Sequence, residues 1–148
     1  STESRSVMLQ GLLTGLTLRD VARLDDESID ADESVAAFTD RMIRDRRTVY
    51  PVVDAGETVG VVTLDAVRRT DRSAHDTTRV REIATDDLPR IPIDTPAFDA
   101  FVELSTHSSG YALVEDGGEV VGLVSPEDFA HVLQFRRDGV EIGPREAF

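Results

Sequence analysis

Gly122, Ser125 and Asp128 lie at intervals of three along Gly122-Leu123-Val124-Ser125-Pro126-Glu127-Asp128, where an apolar run gives way to a helical one. Each residue type suits an anionic ligand that carries a sugar. Glycine lets main chain approach a flat ring closely. A helix start offers unpaired N–H groups to a phosphate, and a carboxylate accepts both hydrogen bonds of a ribose diol. An earlier copy reads Gly60-Val61-Val62-Thr63-Leu64-Asp65-Ala66. There the glycine and hydroxyl recur, but Ala66 stands where the carboxylate belongs. Asp65 comes one residue early, which on a helix turns it about 100° away. The later residues also make a plain helix start, with Ser125 as N-cap, Pro126 first and an acidic residue third. Asp is favourable there, near the positive end of the dipole. The two uses are compatible, since an anion site requires a well-made helix start.

A phosphate also wants positive charge. Arg44, Arg46 and Arg47 end a helical stretch just before Tyr50 and could reach one; Arg136 and Arg137 have the same status later in the chain. Each is equally explained as a complement to a helix C-terminus. Catalytic constellations fail on spacing. His75, His107 and His131 form no i, i+4 pair and have no cysteine beside them, which argues against a zinc helix. Ser105, His107, Ser108 and Ser109 lie close together, but no strand-to-helix elbow surrounds them. No catalytic residue and no metal ligand is expected.

These residues are carried by a repeat. Tyr50-Pro51-Val52-Val53-Asp54, a glycine turn and Val59 to Thr63 match Tyr111-Ala112-Leu113-Val114-Glu115, a glycine turn and Val121 to Ser125. Alternating apolar residues around Ala55-Gly56 and Asp116-Gly117-Gly118 predict two hairpins. A helix is expected over 34–47 with Val35, Phe38, Met42 and Ile43 buried. A second is expected from Thr95-Pro96, as N-cap and first-turn proline, with Ala97, Phe98, Phe101, Val102 and Leu104 apolar. Short helices follow each hairpin, at 64–70 and 126–136. Leu18-Arg19-Asp20-Val21-Ala22 is echoed by Val80-Arg81-Glu82-Ile83-Ala84, and Ile29 with Asp32 by Ile91 with Asp94. Strands are expected around 28–31 and at Ile91. The reading is an α/β (α+β) fold of two pseudo-twofold-related repeats, each a small three-stranded sheet with packed helices. Its expected divisions are an amphipathic lead-in helix at 1–16, with Val7, Met8, Leu9, Leu12, Leu13 and Leu16 on one face, then a repeat at 17–70 and a polar linker at 71–78. A second repeat at 79–137 and a tail at 138–148 with Gly143 and Pro144 complete it.

Composition bounds the partners. Sixteen arginines, no lysine and twenty-nine acidic residues, eighteen of them Asp, leave a net charge of −13. That charge argues against nonspecific nucleic-acid or anionic-membrane binding, because both need a basic footprint. It suits life in molar salt, where the Debye length falls to about 3 Å and acidic self-repulsion is screened. A GC-rich genome accounts for the missing lysine but not for the aspartate excess. With no cysteine, disulfides and thiolate sites are excluded. No apolar run approaches the ~20 residues of a membrane span, because Val7 to Leu16 is broken by Gln10, Gly11, Thr14 and Gly15. The polar Ser1 to Ser6 is not expected to be a secretory leader.

The paired hairpins, each ending in Gly, two apolar residues, Thr or Ser, two spacers and a place for Asp, resemble the cystathionine-β-synthase repeat. This is the CBS domain, whose tandem pair is called a Bateman module. The resemblance runs from about Thr17 to Leu133. It implies a non-catalytic regulatory module that binds AMP, ADP, ATP or S-adenosylmethionine in clefts between its repeats, with no required cofactor. It also implies ligand contacts at Gly122, Ser125, Asp128, Tyr111 and Ala112 in the second repeat, with Ser125 near phosphate and Asp128 on the ribose. In the first repeat it implies Gly60, Thr63, Asp65, Tyr50 and Pro51, with Arg46 and Arg47 nearby. The second site is the more complete, although Ala112 replaces the proline that Pro51 keeps. Thr63-Leu64-Asp65-Ala66-Val67-Arg68, the stretch Asp76 to Ile83 and the lead-in Met8 to Leu16 also resemble the CBS tails of archaeal site-2-type membrane zinc metalloproteases. That implies an N-terminal enzyme domain as host and a cytoplasmic module tethered through its parent at the membrane; the resemblance to CBS pairs implies a homodimer. No His-Glu-x-x-His motif occurs in these residues. The alternative is a ligand-free module that assembles its host; a DNA-binding tail or an independent hydrolase is more distant.

Overall fold

The computed structural model describes residues 2–139, so the expected tail lies, from residue 140 on, outside the described residues. The chain runs α1 (Thr2–Leu12), α2 (Leu18–Val21), β1 (Arg23–Leu24), β2 (Ile29–Asp30), α3 (Val35–Asp45), β3 (Val49–Asp54), β4 (Glu57–Thr63) and α4 (Leu64–Arg68). After a short 3-10 turn at Arg72–Ala74 come α5 (Val80–Ile83), β5 (Arg90–Pro92), α6 (Ala97–Ser105), β6 (Ala112–Asp116), β7 (Glu119–Val124) and α7 (Pro126–Arg137). The expected fold class holds: a mixed α and β chain with two small sheets.

Both hairpins close where left-handed backbone is demanded. Ala55 and Gly56 have φ of 51° and 83°, and Gly117 and Gly118 have 61° and 85°, the signs of a type I′ turn. Each hairpin also carries a register shift at the same place, between Val52 and Val53 and between Val114 and Glu115. Among the described residues, one compact unit comprises 26–87 and the other joins 2–25 to 88–139. In the first, β2 runs parallel to β3, which pairs antiparallel with β4. Phe38, Tyr50, Val52 and Val62 fill its core with Val80 from α5. In the second unit β5 runs parallel to β6, which pairs with β7, and α6 and α7 pack over Leu104, Val114 and Phe129.

The compact units do not follow the repeats in sequence. The stretch 17–25, from the first repeat, completes the unit built on the second hairpin, and 79–87 completes the other. Leu18 and Arg19 donate their N–H groups to Thr95 and Ile93 carbonyls, at 2.8 and 2.9 Å. Val80 and Arg81 do the same to Glu33 and Ala31, at 2.8 and 2.9 Å. The echoed charges pair within these exchanges: Arg19 with Asp94 at 3.1 Å, Arg81 with Asp32 at 2.8 Å.

Several expectations are corrected by this arrangement. The second unit's sheet has four strands, in the order β1-β7-β6-β5, because Arg23–Leu24 pairs antiparallel with β7. In the other unit the equivalent contact is a single bridge, Val61 with Thr85. Pro96 is the N-cap of α6 and not its first turn, since the Thr95 carbonyl is held by Leu18 and Pro96 is extended at ψ 136°. Ile43 is 72% exposed, one position and about 100° past the buried Met42. Val102 is also exposed. On the lead-in, Val7 and Met8 are exposed while Leu13 and Leu16, beyond the end of α1, enter the core. No helix among the described residues is long and apolar enough to cross a membrane.

Candidate functional site

At the β7–α7 corner Ser125 is extended, with φ −135° and ψ 167°, and Pro126 begins the helix without needing an N–H partner. The Ser125 N–H donates to Asp128 Oδ2 at 2.9 Å, and the Ser125 hydroxyl donates to the same oxygen at 3.3 Å. The Asp128 N–H returns to the Ser125 carbonyl at 3.1 Å. A local sequence thus locks a half-buried carboxylate at a helix start. Burial pushes the Asp128 carboxyl above the usual aspartate range. The two Ser125 bonds oppose this, Glu127 adds to it, and the Arg23 charge pulls it down.

A groove of about 390 Å³ opens beside this carboxylate, lined by Val21, Ala22, Arg23, Leu24, Asp128, His131 and Val132. Four of these come from the end of α2 and from β1, held in place by pairing with β7. Sequence reading missed that wall. Its signal was the echo at 18–22, which marks a segment needed by the other repeat. Gly122 belongs to the same corner, but for a different reason from the one expected. A Cβ there would run into the Arg23 carbonyl and crowd Leu24. The glycine makes room for β1 and not for a ring.

The corresponding corner of the other unit is built differently. Gly60 again makes room, this time for the Thr85 carbonyl. Thr63 caps α4, its hydroxyl oxygen accepting the Ala66 N–H at 3.2 Å. Ala66 is buried, and Asp65 is an exposed surface residue paired with Arg68 at 3.3 Å. The missing carboxylate therefore has no substitute in Asp65.

Tyr50 and Arg47 are core residues. Tyr50 is fully buried, its hydroxyl donates to Asp45 Oδ2 at 2.9 Å, and its ring meets Phe38 edge-on at 5.7 Å. Arg41 and Arg47 lie over that ring at 5.1 and 4.6 Å. Arg47 is 4% exposed and donates from Nε to the Val49 carbonyl at 2.7 Å, so packing and a cation–π contact hold it. The Tyr50 hydrogen bond, followed by Arg41, holds the Asp45 carboxyl below its ordinary range. Pro51 and Ala112 are buried within β3 and β6, opposite Val61 and Val124. Arg46 is exposed at the left-handed C-cap of α3, at φ 53°. Tyr111 is partly buried just before β6, with its N–H on the Ser109 hydroxyl at 3.3 Å. The residues that meet at one corner are thus Gly122, Ser125 and Asp128. Among the described residues no group of three or more His, Asp or Glu side chains could hold a metal ion.

Two small sheets of matching plan, each finished by a segment from the other repeat and each turning into a helix at a hydroxyl residue, define the class. A family model described as CBS domain matches at residues 16–72 and again at 80–134. The chain belongs to the CBS-domain family, as a tandem pair. Members of that family are commonly regulatory and non-catalytic. A protein of Mycobacterium tuberculosis named as zinc metalloprotease Rip3 is 29% identical over 143 residues, covering 91% of this chain but 36% of that protein. The chain therefore spans about a third of the length of this relative. Among solved structures, a hemolysin-like CBS protein of Oenococcus oeni superposes with a TM-score of 0.75 at 19% identity, over 86% of this chain and 96% of that one. The CBS domain of a bacterial CNNM/CorC-family Mg2+ transporter, solved in complex with ATP, gives 0.74 at 18% identity, over 90% and 98%. These likenesses show the fold.

Proposed function

We propose that this CBS pair is a regulatory module that binds an adenosine-containing ligand at the Asp128 corner and reports occupancy to an attached protein. The observation that carries the reading is the groove in which a half-buried carboxylate, at a serine-capped helix start, faces the wall formed by Val21 to Leu24. Asp128 would take the ribose hydroxyls, and the Ser125 helix start would lie toward phosphate. ATP in the transporter neighbour supports an adenine nucleotide, AMP, ADP and S-adenosylmethionine being the other candidates. Likeness to the mycobacterial protease supports a zinc metalloprotease host, tethering the module at the cytoplasmic face of a membrane. The test is calorimetric titration of the four ligands in molar KCl, against the native chain and the Asp128→Ala and Ser125→Ala variants. The expected result is binding of at least one ligand, weakened about tenfold or more by Asp128→Ala, as loss of about 1.4 kcal/mol requires. No binding by any ligand, or binding indifferent to both substitutions, overturns the reading.

Two features favour a second reading, a ligand-free module that dimerises its host. Asp128 Oδ2 already accepts two bonds from Ser125, and Ala66 removes the carboxylate from the other corner. A stable dimer in sedimentation velocity whose melting temperature ignores all four ligands would establish that alternative.

A further inference from the structure

We propose that Arg23 reads the phosphate of the ligand at the Asp128 groove, so that the site selects phosphorylated adenine nucleotides over uncharged adenosine and cationic S-adenosylmethionine. This rests on the groove being the ligand site. A carboxylate at the centre of a site repels phosphate at contact range. A nucleotide phosphate thus needs a cation within contact range. Molar salt sharpens the requirement, because a Debye length of about 3 Å leaves only contacting charges to act.

Arg23 meets that need by position. It lies on the groove wall with Asp128 and His131. Its main chain is fixed by pairing with Leu123 and by the close approach at Gly122. Its side chain is 54% exposed and held by Nε on Asp25 Oδ2 at 3.3 Å. A guanidinium has five N–H donors in a planar fork that matches phosphate oxygens. The arginine side of this pair faces solvent while the Asp25 side chain is 25% exposed, and a partly solvated pair is weak enough to exchange for a phosphate. Asp25 thus acts as a stand-in anion that parks Arg23 beside the groove.

The other unit supplies an internal control. Where Arg23 faces Leu123, Thr85 faces Val61, and where Asp128 follows Ser125, Ala66 follows Thr63. Cation and carboxylate are present together in one unit and absent together from the equivalent places in the other. That joint occurrence fits two halves of one recognition device, the ribose end and the phosphate end.

Titration of adenosine, AMP, ATP and S-adenosylmethionine into the native chain, Arg23→Gln and Asp25→Asn tests this, with circular dichroism to check that each variant is folded. The native chain should bind AMP at least tenfold more tightly than adenosine or S-adenosylmethionine. Arg23→Gln should bring the AMP-to-adenosine ratio close to one. Asp25→Asn, by freeing the guanidinium, should tighten AMP severalfold. An unchanged ratio in Arg23→Gln, or adenosine binding as tightly as AMP to the native chain, overturns the role of Arg23; Asp128-dependent adenosine binding would meanwhile leave the site itself standing. No binding by any of the ligands overturns both.

Discussion

Asp128 carries a conflict between the fold and the proposed site. The folded state holds its carboxyl above the ordinary range because burial disfavours the charge more than the Ser125 bonds favour it. An unfolded aspartate ionises near pH 3.9. Between that value and the raised folded one, the unfolded state releases its proton first. Stability from this group therefore falls as pH rises through the window and stays lowered above it. Asp128→Asn keeps an acceptor for the Ser125 N–H and removes the charge. Urea denaturation in molar KCl across pH should show the variant gaining on the native chain as pH climbs out of the aspartate range, then holding its gain to neutrality, while nucleotide affinity drops. A pH-independent difference between the two proteins would rule this account out. A residue that costs stability where it sits is what a binding site retains. The Ser125–Asp128 contact was legible in the sequence because it is local. The place of Tyr50 was not, because its burial depends on Arg41, Asp45 and Arg47 closing over it from α3 and its end.

The elements were legible in proportion to their length and period. Hairpins and long helices follow from alternation and helical spacing, whereas Arg23–Leu24 is two residues with no periodicity, and becomes a strand only because the edge of β7 receives it. Its carbonyl against Gly122 is the physical reason for a glycine that, read locally, looked like room for a ligand. The hairpin turns show the limit of pattern more sharply. Both adopt the same left-handed pair, yet one places glycine at each position and the other places Ala55 at φ 51°. Left-handed backbone costs a Cβ-bearing residue other than Asn or Asp roughly 1–2 kcal/mol, and Asn-Gly is the preferred type I′ pair. No contact of the core involves this exposed turn. Ala55→Asn should thus stabilise the chain by about 0.5–1 kcal/mol, raising the melting temperature by a few degrees, with ligand affinity unchanged. A lower melting temperature would mean that the turn conformation is not what limits that hairpin.

At the scale of the whole molecule, sequence repeats and folding units are different objects. The repeat from 17 to 70 holds β2, α3, β3, β4 and α4, but lacks α5, whose Val80 is fully buried in that unit's core. Burial of a valine side chain is worth roughly 1.5–3 kcal/mol. Without α5 the Val35 N–H also loses the Thr78 carbonyl, the Glu33 and Ala31 carbonyls lose their donors, and Val61 loses both bonds to Thr85. The Arg81 pairs with Asp32 and Asp54, at 2.8 and 3.3 Å, go as well, though exposed pairs add little. The stretch 17–25 belongs to the other compact unit. A fragment cut at the repeat boundaries, 17–70, should therefore show no cooperative urea transition in molar KCl. A fragment cut at the unit boundaries, 26–87, retains every one of these contacts. It should unfold cooperatively, though weakly, as a domain of this size must. Adding the single substitution Val80→Ala to 26–87 should remove most of that transition, because the missing methyls leave a cavity where the exchanged segment anchors. Equal behaviour of the two fragments would show that the exchange at 79–87 decorates the unit, whereas the predicted contrast would make it the step that completes the core.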